Sequence, residues 1–384
     1  MKKLKIFTLV ALLGLSCTGK SWADDSAGDS PTVTPTPLSD SQEIALLNQR
    51  IDSLQDHVNT KIDVLLQYYY EHQSNGSAGT GGIYAKPGTN EWDSFNFRRS
   101  DIILTTELQP QKIALIWNLD PSQKSFWNGP NYATLIKDLY VRFDEIPYVS
   151  IYAGQFKFAQ GLEGRTFSGN LDFYDYSGIA NYFGNKRDTG IQIAGSKIPA
   201  GAFQFEYQAS LIGGTGQSTW DNNVDKDISG RIGITYDDNL YLGATGYSGW
   251  EPNGVRNDWS LEGRWVYEGF KVQGEFLEGQ VDPADNSNAN NSVWTSVPTG
   301  WNGETKPLGF YGQVSYRIAD YRLGLRYDAY NPDTTTGSFY NSEQDTLTIG
   351  FDWFQDKDAF RLGLNYEDHF AAYQSIVSQV QVFI

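Results

Sequence analysis

Any chemistry in this chain has to come from its charged side chains, because other reactive groups are few. The chain holds three histidines, His57, His72 and His369, and one cysteine, Cys17. A barrel lipase would need a serine–histidine pair on the lipid face. Here His57 and His72 fall in or just after a helical segment, and His369 falls at a loop margin. No enzyme, cofactor or histidine metal site is expected. Asp221, Asn223, Asp225 and Asp227 recur every second residue, as at the start of a calcium loop. Lys226 stands where that loop needs glycine, however, and Ile232 where it needs its final glutamate.

The segment 159–186 carries more. Glu163, Asp172 and Asp175 oppose Arg165 and Lys186, and Phe167, Phe173, Tyr174, Tyr176 and Tyr182 give the segment a body that can pack. Opposed charges across an aqueous gap set up a transverse field, which acts strongly between low-dielectric walls. Folded inward, the segment would bring Arg165, Lys157 and the Arg98–Arg99 pair around such a gap. Left outside, it is a surface loop with ordinary charges. Arg98 and Arg99 are adjacent in an extended segment and point to opposite faces, so only one of them can line the interior.

These side chains need a wall. From about Gly79 to Ile384 the hydrophobic period is 2. Phe203, Phe205, Tyr207, Ala209 and Leu211 oppose Gln204, Glu206, Gln208 and Ser210, and Phe360, Leu362, Leu364 and Tyr366 oppose Arg361, Gly363, Asn365 and Glu367. A soluble sandwich alternates too. Strands of about ten residues, with aromatics clustered toward their ends, favour tilted strands crossing a bilayer. Fifteen strands can be marked from residue 94 onward, and short and long links alternate between them. The short ones include Glu145-Ile146, Asp238 and Glu268-Gly269; the long ones cover about 121–131, 159–186, 213–228, 249–256, 281–305, 331–343 and 369–374. The first of the fifteen ends in a short turn, so an earlier strand must enter from the short-turn side, and Gly79 to Pro87 fits. The expected fold is all-β, a sixteen-stranded antiparallel transmembrane β-barrel over 79–384 with a water-filled lumen.

Alternation then assigns the lumen charges. Nine are cations: Arg142, Lys157, Arg231, Arg264, Lys271, Arg317, Arg322, Arg326 and Arg361. Eight are acids: Asp138, Asp144, Glu206, Glu262, Glu275, Asp328, Asp352 and Glu367. The wall is nearly balanced, so the net charge of −17 must reside mostly in loops, turns and the N-terminal segment. Arginines pairing with acids on neighbouring strands would stiffen such a wall without any further role.

The N-terminal end has another character. Three lysines within Met1 to Lys5, an apolar run from Ile6 to Leu15 and Ser21-Trp22-Ala23 read as a secretory signal peptide over 1–23. Cys17 does not read as a lipid attachment site, since Gly14 replaces the leucine needed three residues before it. Cleavage would remove Lys2, Lys3, Lys5 and Lys20, so −17 becomes −21, and the only cysteine leaves as well. An exported chain without cysteine must take its stability from topology. Residues 24–41 form a Ser/Thr/Pro/Asp linker. Over 42–72, Ile44, Leu47, Ile51, Leu54 and Val58 keep a heptad seam that Lys61 interrupts and Leu65 resumes, which predicts a short oligomeric coiled-coil helix. The acidity argues against a nucleic-acid partner, and no later run is long enough for a transmembrane helix.

Several segments resemble one family, the phosphate-selective porin O and P type of outer-membrane porins. They are Phe95-Asn96-Phe97-Arg98-Arg99, Lys137-Asp138-Leu139-Tyr140-Val141, Gly154-Gln155-Phe156-Lys157 with Gly161-Leu162-Glu163, Arg187-Asp188-Thr189-Gly190-Ile191, Phe310-Tyr311-Gly312-Gln313, Leu325-Arg326-Tyr327-Asp328 and Thr348-Ile349-Gly350-Phe351. Their order and spacing span most of 79–384. The resemblance implies a homotrimeric sixteen-stranded porin whose third external loop folds inward. Alternation and the charges of 159–186 give the candidate pore-lining and constriction residues as Arg98, Arg99, Arg142, Lys157, Glu163, Arg165, Asp172, Asp175, Arg264, Arg322 and Arg326. Two features depart from the pattern: the chain ends in Ile384 rather than an aromatic residue, and it is acidic where anion-selective members carry basic channels. The expected function is passive diffusion of small hydrophilic solutes and ions, anions such as phosphate among them, across a bacterial outer membrane. Outer-membrane lipid and lipopolysaccharide would be its surroundings. The alternative is a structural or adhesive anchor whose helix tethers the membrane to the cell wall.

Overall fold

The computed structural model describes residues 41, 44–45, 47, 58–74, 91–109, 111–122, 135–184, 186–221, 223–251, 254–281, 306–331, 334, 344–370 and 373–384. The chain divides into two units. In Met1–Ile51 the described residues are Ser41, Ile44, Ala45 and Leu47, all helical. The expected leader over 1–23 and, apart from Ser41, the linker lie outside the described residues.

The second unit, Asp52–Ile384, is a barrel. Its strands are β1 (Val58–Ser74), β2 (Trp92–Leu108), β3 (Ile113–Leu119), β4 (Ile136–Ile146), β5 (Val149–Lys157), β6 (Arg187–Ala200), β7 (Phe203–Ile212) and β8 (Asp227–Tyr236). The wall continues with β9 (Leu240–Glu251), β10 (Gly254–Tyr267), β11 (Phe270–Val281), β12 (Leu308–Ile318), β13 (Tyr321–Asn331), β14 (Gln344–Gln355), β15 (Phe360–His369) and β16 (Tyr373–Phe383). Each strand pairs antiparallel with its chain neighbours and β1 pairs with β16, so the sheet has no edge. The seam is fastened where the backbone N–H of Val64 donates to the Ile384 carbonyl at 2.7 Å and that of Ile384 to the Val64 carbonyl at 3.0 Å.

The fifteen strands expected from residue 94 onward all form, and alternation dictates their faces. Ile232, Leu242, Leu323 and Leu364 lie on the exposed outer surface, while Arg231, Glu262, Arg326 and Arg361 are buried inside. Turns on the short side take backbone angles suited to tight hairpins: Asp237 and Asp238 have φ of 49° and 57°, and Glu268 and Gly269 have 45° and 87°.

Three expectations need correction. The helix over 42–72 does not run through: from Val58 the chain is strand. Ile62, Val64, Leu66, Tyr68 and Tyr70 alternate on the outer face, and this β-branched and aromatic stretch gains pairing with two strands at once, β2 and β16. The heptad reading fails because inward Leu65 and Tyr69, which break the alternation, serve another purpose. Leu65 is fully buried, and Tyr69 meets the ring of Tyr174 at 6.2 Å. Second, β1 therefore holds the place given to Gly79–Pro87, which lie outside the described residues. Third, two links expected to be long shrink because their strands continue into them. Only 252–253 separate β9 from β10, and only 370–372 separate β15 from β16.

The segment after β5 resolves the choice left open by the sequence. Residues 158–184 run inside the barrel, with a short helix α1 (Leu162–Arg165), a 3-10 turn (Ser168–Asn170) and a wider turn (Ala180–Gly184). Phe158, Ile179 and Phe183 join Phe156, Tyr247, Tyr311 and Tyr330 of the wall in one apolar cluster. Gly164 lets the loop close on itself, since a Cβ there would lie 2.3 Å from the backbone of Gly184.

Candidate functional site

A polar lumen is stable only if its buried groups are paired. Beside its apolar contacts, the inward loop is held by such pairs. Asp172 is the largest hub. Its Oδ2 accepts from Gln313 Nε2 at 2.8 Å and faces Lys271 Nζ at 2.9 Å; its Oδ1 faces Arg322 Nη1 at 2.9 Å. Arg361 adds donors to the carbonyls of Leu171 (2.8 Å) and Asp172 (3.0 Å) and is held by Asp352 at 2.6 Å. Burial opposes ionisation of Asp172, but Lys271 and Arg322 outweigh it and hold the carboxyl below its ordinary range.

Glu163 accepts from the backbone N–H of Ser177 at 2.7 Å and lies 3.7 Å from Arg326. Here burial wins, and the carboxyl is pushed above its ordinary range despite Arg326. The backbone N–H groups of Leu162 and Glu163 both donate to Oε2 of Glu275, at 3.2 and 3.3 Å. Asp175 faces both Arg98 and Arg99, the latter at 3.7 Å. Burial opposes its ionisation too, yet the two guanidinium groups hold it low. The three loop acids are thus spent on one arc of the wall, from β11 round through β16 to β2.

Arg98 and Arg99 correct the expectation that only one of them could turn inward. Register slips here: Gln67 of β1 pairs with Arg99, and Tyr68 pairs with Phe97. Arg98 is the extra residue of a β-bulge, which re-aims a side chain. The same device works at Lys137. Asn118 pairs with Asp138 and Leu119 with Ile136, leaving Lys137 over. Lys137 is buried inside, 2.6 Å from Asp101 and 3.6 Å from Asp120. Alternation alone missed it. The available signal was two adjacent charges in a strand with one face to lipid, since a regular strand would put one of them on that face.

The opposite arc stays open. Between the loop and β2–β6 lies a cavity of about 270 Å³, and a second of about 530 Å³ lies toward the short turns. Tyr152, Lys157, Arg165 and Gln192 line both. The charged residues of the narrower cavity are five cations, Arg99, Lys137, Lys157, Arg165 and Arg187, and two acids, Asp101 and Asp138. Arg187, also missed from the sequence, grips Asp138 at 2.8 and 3.3 Å. Lys157 donates to the Gly164 carbonyl at 2.7 Å and to the Tyr176 hydroxyl at 3.3 Å. Arg165 comes no nearer than 3.6 Å to Glu206.

Other expected residues lie away from this gap. Arg142 is tied to Asp144 at 2.6 Å, near the β4–β5 turn. Arg264 sits over the Tyr241 ring at 5.6 Å, low on β10. Arg322 and Arg326 hold the loop rather than face the cavity. Lys186 is buried enough to be pushed down to about 8. The Asp221–Asp227 series does not converge: Asp221 pairs with Lys226 at 2.7 Å, whereas Asp227 is buried against Arg256 at 3.0 Å. His72 meets Asp93 at 2.7 Å, and His369 lies between Thr346 and Glu367.

Comparison with solved structures gives the same architecture at low identity. The barrel resembles Salmonella typhi OmpF in complex with daunomycin, with 10% identity, 86% of this chain and 99% of that chain covered, and a TM-score of 0.60. It resembles the outer membrane channel DcaP of Acinetobacter baumannii at 13% identity, 86% and 98% coverage and a TM-score of 0.58. The trimer form of in-vitro folded OmpT from Vibrio cholerae follows at 9% identity, 86% and 100% coverage and a TM-score of 0.54. At such identities the likeness speaks for the fold alone. No curated protein matches the chain in sequence. The profile described as phosphate-selective porin O and P matches residues 74–235 and 218–375, which together take in nearly all of the barrel wall. The chain belongs to that family, and it is an outer-membrane porin whose strands enclose a channel.

Proposed function

We propose that this porin passes small hydrophilic solutes with a preference for anions, and that its selectivity is set at the gap between the inward loop and β2–β6. The observation that carries the reading is the division of charge around the loop. Glu163, Asp172 and Asp175 are neutralised by Arg326, by Lys271 with Arg322, and by Arg98 with Arg99. Facing the gap, apart from Arg99 already set against Asp175, are four cations and two acids. A chain with net charge −17 thereby keeps a cationic cavity beside the inward loop. In a low-dielectric surround such a cavity raises the local anion concentration. Assembly as a homotrimer is proposed on the precedent of OmpT from Vibrio cholerae in its trimer form. The leader over 1–23 would carry the chain to a membrane of lipid and lipopolysaccharide.

Planar-bilayer recording in a potassium chloride gradient tests the selectivity. The expected reversal potential has the sign of chloride preference, and Arg165→Glu should reduce it. A potassium preference in the native channel would remove the anion reading. A detergent-solubilised mass of one subunit would remove the trimer.

A further inference from the structure

We propose that the narrower cavity selects organic anions bearing an aromatic ring, aromatic carboxylates as a class, over ring-free anions of equal charge. The proposal deepens the anion reading and rests on it.

Inward aromatic residues are unusual in a water-filled lumen, and most of those here are covered. Tyr247, Tyr311 and Tyr330 are 1–3% exposed beneath the inward loop. Tyr140 and Tyr152 are different. They stand 5.3 Å apart at 44°, backed by buried Phe156, and both line the cavity while remaining only partly buried. An uncovered apolar surface costs free energy in water and favours a guest that can cover it.

The charges of the cavity divide in a matching way. Lys137 and Arg187 are matched by Asp101 and Asp138 at 2.6 and 2.8 Å. Lys157 makes no ion pair among the described residues, and its two acceptors leave one ammonium hydrogen. The Arg165 side chain is 29% exposed, and among the described residues it meets only the Glu206 carboxylate, at 3.6 Å. A carboxylate takes its strongest hydrogen bonds from such cations. Lys157, Arg165 and Tyr152 line both cavities, so one guest can lay its ring on Tyr152 and its carboxylate on the two cations while moving between them. Inorganic phosphate would satisfy the cations and leave the rings bare.

The test is block of chloride current through the full-length porin in planar bilayers, with benzoate, acetate and inorganic phosphate as probes at neutral pH. Benzoate should reach half-block at a concentration about tenfold below acetate. Tyr152→Ala should bring that ratio close to one, and Tyr152→Phe should retain it. Arg165→Gln should weaken block by both carboxylates and keep the ratio. If Tyr152→Ala yields no folded barrel, Tyr140→Ser reads the same ratio. Equal block by benzoate and acetate in channels that still prefer chloride overturns this proposal and leaves the anion reading intact. An unchanged ratio in the tyrosine variants overturns it as well. Potassium preference in the native channel overturns both.

Discussion

Arg98 occupies the bulge of β2 and so reaches Asp175 of the inward loop, the carboxylate whose other oxygen lies 3.7 Å from Arg99. Two adjacent residues of a regular strand cannot share one partner in this way. The bulge therefore converts a position aimed at lipid into a loop anchor. In Asp175→Asn the two guanidinium groups would lose that carboxylate. Removing one partner of a buried pair costs about 3–5 kcal/mol. With the Arg98 side chain 27% exposed, about 2 kcal/mol is the fitting expectation here. Heat-modifiable gel mobility should report a lower unfolding temperature for the variant. The double change with Arg98→Gln should cost less than the sum of the single changes; additive costs would contradict the pairing.

The same loop predicts a response to acid. Asp172 and Asp175 are held below the ordinary aspartate value of 3.8 because their cationic neighbours outweigh burial. A carboxyl depressed in the folded state contributes stability that is present above its unfolded value and lost as pH falls through its folded value. Glu163 has the opposite sign. Burial raises it above 4.5, so proton uptake as pH falls relieves a cost while its oxygen still accepts from Ser177. The expected result is a single-channel conductance and open-channel noise that stay level from pH 7 to 5, with loosening only below about pH 3.8. A rise in noise already between pH 7 and 6 would mean that other groups hold the loop.

The wall was legible in the sequence because period-2 alternation is a direct consequence of having lipid on one side and water on the other. What escaped was whatever broke that period. Arg98 and Lys137 turn inward at bulges, where parity counting fails by one. Leu65 and Tyr69 are inward apolar residues facing the loop rather than water, and they masked β1 behind a heptad. The segregation of loop acids from gap cations could not be read either. It depends on which arc of the wall the loop leans against, and contacts such as Arg322 to Asp172, 150 residues apart, decide that.

Assigning β1 to Val58–Ser74 makes a truncation decisive. A barrel needs every strand, since an open sheet leaves unpaired backbone groups in lipid. A chain beginning at Asp52 should refold in detergent to a heat-modifiable species. A chain lacking 58–74 should not, because β2 and β16 would each lose a partner. If the second truncation folded like the first, a segment after residue 74 would have to supply the strand.

Phe173 sets the last expectation, through two glycines that face it. Gly324 and Gly350 pair across β13 and β14 on the inner face. A Cβ on Gly324 would lie 3.0 Å from the Phe173 ring and one on Gly350 3.1 Å, so the loop lies against bare backbone there. Arg326 completes the seat with its guanidinium 4.8 Å from the ring centroid. A single methyl meets a tight contact that a small shift relieves, but a branched side chain fills the seat. Gly350→Val should therefore lift the loop toward β2–β6 and lower single-channel conductance. Phe173→Ala removes the buried ring instead, at a cost of about 3–5 kcal/mol for a site that cannot collapse. It should lower the unfolding temperature and make the open state noisier. The two variants thus move the channel in different ways from one contact. If Gly350→Val conducts like the native channel, the loop does not rest on that part of the wall while ions pass.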